Sequence, residues 1–98
     1  MHGSALRPQR RELVWDVAKA RRNRDKHGIA FEQAAEVFFD PFLRLVDAGR
    51  NDETRDAAIG RDMRGRVLYV VHVIYEDEAI RLISARKATT AEQQTYDS

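Results

Sequence analysis

Arg81 and Arg86 occupy unusual ground for charged side chains. They lie inside or beside "IRLISARKATTAE", residues 80–92, where Ile80, Leu82, Ile83 and Ala85 are the apolar residues of a buried strand running into a helix start. A guanidinium group is planar, permanently charged and able to bind two phosphate oxygens at once, so arginines set in a strand suit an anion site on one face of a sheet. Strict alternation nevertheless sends residues 81 and 86 to opposite faces, and both can share a site only where a bulge or the strand's end re-aims one of them. Arg81, within the strand, is the first candidate; a surface or partner-facing salt bridge is the plain alternative for each. Lys26 and His27 come next, because histidine exchanges a proton near neutral pH and lysine can anchor a phosphate. A histidine in the last helical turn before a glycine is also favoured by the helix dipole alone. His72 stands in the most hydrophobic segment, where a core histidine with one satisfied ring nitrogen is the commoner outcome. Arg55 can join a phosphate site, Lys19 belongs to a basic helix, and Tyr96 is either a helix anchor or a stacking group. Trp15 and Tyr69 are most simply core, and Asn23 a hydrogen-bonding bridge between helix and sheet.

The elements that must hold these groups follow from the pattern. "ELVW" (12–15) reads as a short strand, and Asp16 is a suitable N-cap for a mostly polar helix that Gly28 ends. Lys19, Asn23 and His27 recur every fourth residue and share one face of it. "AFEQAAEVFFD" forms a second helix with a stripe of Phe31, Ala34, Ala35 and Phe38, closed at Pro41. "FLRLV" (42–46) alternates like a half-exposed strand, residues 47–52 form a turn, and "TRDAAIG" (54–60) is a further strand with helix as the alternative for its middle. "GRVLYVVHVIY" (65–75), the acidic turn 76–78 and "AIRLISAR" (79–86) make a long hairpin. Thr89 and Glu92 fit a capping box that opens a short C-terminal helix through Tyr96. The sum is an α+β chain: an antiparallel sheet packed against two N-terminal helices, with a third short helix at the end.

Composition narrows the chemistry. Ninety-eight residues, 43 % of them hydrophobic, make one domain with a modest core. The expected division is a disordered arm over 1–11 and a single domain over 12–98. No stretch approaches a membrane span and the first residues lack the apolar run of a secretory signal, so the expectation is a cytoplasmic protein without membrane partners. There are no cysteines, and three scattered histidines lack the HxxxH spacing of a zinc site, so neither a metal nor a cofactor is expected. The net charge of +1 conceals a split. Residues 1–27 hold eight Lys/Arg against three acids, while residues 28–98 hold nine against thirteen. A basic N-terminal quarter suits a polyanion or an acidic partner protein, with a solvated helix face as the plainer alternative.

In order along the chain, "WD" (15 and 16), Lys19, Asn23, "KHG" (26–28), "FEQAAEVFFD" (31–40), "IG" (59 and 60), "GR" (65 and 66), "VVH" (70–72), "IRLISARKAT" (80–89) and Tyr96 follow one pattern, which resembles the BrnT toxin family. The resemblance runs nearly from residue 13 to 96. It departs at Val17, where the family usually has Pro, at Asp56, where an aromatic or apolar residue is common, and at Ile74, in place of an acid. It implies a RelE-like fold and a ribonuclease toxin of a type II toxin–antitoxin pair that inhibits translation by cutting RNA. The partner it implies is a BrnA-like antitoxin with a ribbon-helix-helix DNA-binding part, so that operator DNA is reached only through the antitoxin. Metal-free RNA cleavage needs a base for the 2′-OH proton, a cation for the charge building on phosphorus oxygens and an acid for the leaving 5′-oxygen. Lys26, His27, Arg81 and Arg86 are the expected catalytic set, with Arg55, His72, Tyr96 and Lys19 contacting RNA. Two rivals remain: a homologue without turnover that serves as a corepressor with its antitoxin, and one that blocks translation by occupying RNA or ribosome without cutting.

Overall fold

The computed structural model describes residues 12–49, 55–75 and 79–98. The arm expected over 1–11, the turn expected over 76–78 and part of the turn over 47–52 lie outside the described residues. In chain order come β1 (Glu12–Val14), α1 (Val17–His27), α2 (Phe31–Ala35), which tightens into a 3-10 turn over Glu36–Phe39, then β2 (Arg44–Asp47), β3 (Asp56–Arg61), β4 (Val67–Tyr75), β5 (Ala79–Lys87) and α3 (Thr90–Asp97). The strands form one sheet in the order β1-β5-β4-β3-β2.

From β2 to β5 the sheet is antiparallel, as expected, but β1 runs parallel to β5 and makes the sheet mixed. The reason is packing. Leu13 lies opposite Ile80 and turns onto the core, while α1 and α2 carry the chain from β1 across the sheet to β2 at the far edge, so that the meander β2–β5 returns to lie parallel beside β1. Residues 56–61 are strand rather than helix because both ladder edges are used, Ala57 pairing with Val46 on one side and Val71 on the other.

One face of the sheet carries the core. Ile29, Phe31, Ala34 and Val37 from the helices meet Ala58, Leu68, Val70, Ile80, Leu82 and Ala85 from the strands, with Trp15 set edge-on to Phe31 at 6.0 Å between ring centres. The 3-10 turn approaches so closely that a Cβ on Gly60 would stand 3.1 Å from the Val37 Cβ, so this strand position admits only glycine without movement.

Helix α1 is held at its ends. The Asp16 carboxylate accepts from the amides of Ala18 and Lys19 at 2.7 and 3.1 Å, and those bonds keep its pKa below the usual carboxylate value. Gly28 closes the helix at φ 74°, a left-handed position that a side chain would strain. No helix among the described residues is long and apolar enough to cross a membrane.

Candidate active site

The β4–β5 register resolves the difficulty of the two arginines. Toward the end where Tyr75 pairs with Ala79, Val73 opposes Arg81 and His72 opposes Leu82; farther along, Val71 opposes Ser84 and Tyr69 opposes Arg86. Ile83 is therefore an extra residue in β5, a bulge. Ile80, Leu82 and Ala85 all stay in the core, and Arg81 and Arg86 both project from the opposite face. On that open face, Arg55, Tyr69, Val71, Ile83, Ser84 and Arg86, with Ala48, line a cavity of about 300 Å³. Two of the predicted arginines thus share one hollow with an aromatic ring and a hydroxyl. Arg81 lies on the same face opposite Val73, but its side chain does not line this hollow; its charge is felt by Asp16.

Arg86 is tightly fixed. Its guanidinium carbon stands 4.3 Å from the centre of the Tyr69 ring, a cation–π stack, while Nη1 and Nη2 donate to the two carboxylate oxygens of Glu92 at 2.8 and 3.0 Å. The fork holds the Glu92 carboxyl below its usual pKa, and Glu92 in turn raises that of Arg86. Glu92 also accepts from the Thr89 amide while Thr89 Oγ1 accepts from the Glu92 amide, so the capping box of α3 and the Arg86 pair share one carboxylate.

The edge of β5 beyond the short β1 is satisfied by α1. Asn23 is buried, and its Nδ2 donates to the carbonyls of Ile29 and Ala85, both at 2.9 Å, while its Oδ1 accepts from the Ala85 amide at 3.0 Å. Its carboxamide thereby stands where a neighbouring strand's peptide would. Helical spacing sets the half-buried Lys19 and His27 one turn to either side of Asn23, along the β5 edge, with Lys26 exposed beside them. Neither Lys26 nor His27 lines the Arg55–Arg86 cavity.

Two expected RNA contacts are placed elsewhere. His72 is 1 % exposed on the core face, its ring set edge-on to Phe38 at 5.0 Å and its Nδ1 3.2 Å from the Val70 carbonyl. A carbonyl only accepts, so that contact assigns the ring proton to Nδ1. His72 is a packing residue because it alternates with Val71 and Val73 and so shares the inward face of Val70. Tyr96 is an anchor: its hydroxyl donates to Asp40 Oδ2 at 2.7 Å, an oxygen that also accepts from the Arg61 amide at 2.8 Å, and Arg61 stacks over the ring. This joins α3 to β3 and to the end of the 3-10 turn.

Burial pushes the pKa of His72 below its ordinary 6.5, against weaker support for the proton from Val70 and Asp56. The unfolded chain then binds more protons just below that value, so this contribution to stability is complete above about pH 6.5 and declines as pH falls toward the lowered folded value. Melting temperature should drop between pH 7.5 and 5.5, and His72→Leu should flatten the slope over that interval; an equal slope in both proteins would refute the assignment. The carboxylates with lowered pKa act in a more acidic window.

Tyr69 and Ser84 on the open face, and Glu92 of α3 paired with Arg86, are the residues that sequence reasoning missed. Tyr69 reads as core and Glu92 as a cap; the β4–β5 pairing of Tyr69 with Arg86, which depends on the bulge, is the signal that would have exposed Tyr69. Among the described residues, no three carboxylate, imidazole or thiol groups cluster as metal ligands would.

A family model described as the ribonuclease toxin BrnT of type II toxin–antitoxin systems matches residues 15–92. Among solved structures, the ribonuclease toxin BrnT of Brucella abortus, determined at 1.1 Å, superposes with a TM-score of 0.64 at 23 % identity, covering 82 % of this chain and 99 % of that one. That likeness bears on the fold. Curated protein sequences give no match. With the family match extending over most of its length, the chain belongs to the BrnT family of type II toxin–antitoxin ribonuclease toxins.

Proposed function

We propose that this protein is a metal-independent endoribonuclease that cuts RNA by transesterification on the open face of its sheet and so inhibits translation in the cytoplasm. The observation that carries this reading is the bulge at Ile83, which turns Arg81 and Arg86 to one face, with Arg55 beside Arg86 in the same hollow. In the reaction the 2′-oxygen attacks phosphorus, the bond to the 5′-oxygen breaks, and a cyclic phosphate and a free 5′-hydroxyl result. The arginines hold the negative charge that builds on the non-bridging oxygens. His27, at the edge of β5, is the candidate for proton transfer, and Lys26 and Lys19 extend the positive surface along which an RNA strand can lie.

The antitoxin that the family pairs with its toxin is on this reading BrnA-like, with a ribbon-helix-helix part that contacts operator DNA. An acidic segment of that partner would cover the α1 and β5 surface, giving fast, salt-sensitive association. A second reading has one observation in its favour: Lys26 and His27 do not line the cavity that Arg86 lines. It is a homologue that binds RNA or serves as corepressor without turnover.

Purified protein incubated with total RNA, with and without excess EDTA, separates these. Cleavage that persists in chelator, with cyclic-phosphate ends, is the expected result. Activity lost in EDTA and restored by magnesium would remove the transesterification mechanism, and RNA that is bound but left intact would favour the second reading.

A further inference from the structure

The reading of the open face as a phosphate site leaves one carboxylate without an assigned purpose, and the following rests on that reading. Glu92 belongs to α3, yet it grips a strand residue that lines the hollow. We propose that Glu92 is a positioning residue for Arg86: it holds the guanidinium over the Tyr69 ring with the Nε–Nη2 edge free to take two oxygens of the scissile phosphate.

The geometry of the fork supports this. Glu92 binds the end of the guanidinium through Nη1 and Nη2, and Nη1 also donates to the Lys87 carbonyl at 3.2 Å. The Nε–Nη2 edge is then turned away from the carboxylate, and it presents the parallel N–H pair that phosphate oxygens match. The Tyr69 ring lies against the guanidinium carbon, and the two Glu92 bonds fix the rotation of the group. An exposed arginine otherwise samples many rotamers, and ordering it at the moment of reaction would cost entropy. Glu92 is itself immobilised, because the same Oε1 that accepts from Arg86 accepts from the Thr89 amide at 2.9 Å. The first turn of α3 thus serves as a bracket for the phosphate-binding arginine.

The opposite idea, that the carboxylate occludes Arg86 and excludes phosphate, predicts the reverse sign in the same experiment. Glu92→Gln keeps an oxygen for the Thr89 cap and for one Arg86 bond but loses the second acceptor and the charge. It should lower kcat at saturating RNA on the order of tenfold to a hundredfold, with KM within about twofold, as displacement of a positioned group does. Combined with Arg86→Ala it should do no further harm. Thr89→Ala, which removes the Oγ1 bond to the Glu92 amide but keeps the Thr89 amide that holds Glu92 Oε1, should cost kcat far less than Glu92→Gln. A Glu92→Gln enzyme as fast as wild type or faster overturns the proposal, and so does an equal loss in Thr89→Ala, which would make capping the cause. Nitrogen NMR of the arginine side chains gives a readout independent of cleavage. The Nη signals of Arg86 should be separate in the wild type and merged in Glu92→Gln, and inorganic phosphate should shift the Arg86 Nε–H only in the former. Should the wild type cut no RNA, the catalytic reading of the open face fails by itself, while the phosphate-induced shift of the Arg86 Nε–H still tests the bracket. Arg86 signals averaged alike in both proteins would dispose of the bracket.

Discussion

Arg86→Ala should lower RNA cleavage by about a hundredfold or more, the usual consequence of removing one preorganised donor from a transition state. The expectation rests on placement. Arg86 lines the hollow on the open face, its guanidinium rests over Tyr69 and its fork is held by Glu92, so little reorganisation is needed when charge develops. Arg86→Lys should recover little of the loss, since an ammonium keeps the charge but neither the two-pronged geometry nor the guanidinium contact with the Tyr69 ring. Melting temperature should stay within a few degrees, because α3 keeps the Thr89 cap and the Tyr96–Asp40 bond after the pair is removed. The Arg86–Glu92 pair is partly exposed, and such pairs add little to stability. Single-turnover cleavage and thermal melts measured side by side decide the matter. A wild-type rate in Arg86→Ala would shift the phosphate site toward Arg81, while parallel collapse of rate and melting temperature would make Arg86 structural.

Asn23→Ala should produce the largest loss of stability of any single polar substitution proposed for this chain. Three hydrogen bonds vanish at once, and the carbonyls of Ile29 and Ala85 and the amide of Ala85 are left in a site too buried for easy access of water. Each unsatisfied buried group costs about 1–3 kcal/mol, so a total near 3 kcal/mol is a conservative expectation after partial relaxation. For a domain of this size that corresponds to a fall in melting temperature on the order of 10–20 °C. Asn23→Asp tests the same geometry differently, since a carboxylate accepts from the Ala85 amide but cannot donate to either carbonyl. A fall of less than about 4 °C in Asn23→Ala would mean that water or another group takes over the β5 edge. Because Ala85 precedes Arg86, a loosened edge should also slow cleavage at temperatures where the variant remains folded.

The linear sequence by itself determined most of the scaffold. Asp16 and Gly28 bracket α1 through local hydrogen bonds and a left-handed backbone position, and Thr89 with Glu92 opens α3 by a cap four residues long. The apolar runs over 67–75 and 79–87 could only be strands, because β-branched and aromatic residues in that density suit a pleated surface. The arginines could be singled out as candidate anion-binding groups by their chemistry alone. Tertiary structure decided which of them meet. Counted from the Tyr75–Ala79 pair without interruption, the register would set Arg86 opposite Leu68, on the core face; the single extra residue Ile83 sets it opposite Tyr69 and turns it outward. A bulge carries no sequence signature here, since Leu82, Ile83 and Ser84 are ordinary strand residues whose partner is chosen by packing of Leu82 and Ala85 into the core. The same long-range choice sent His72 inward against Phe38, drew Tyr96 to Asp40 and aligned β1 parallel to β5. Those contacts join residues far apart in the chain, and their energies depend on which face is buried, a property of the assembled sheet and not of any local run of residues.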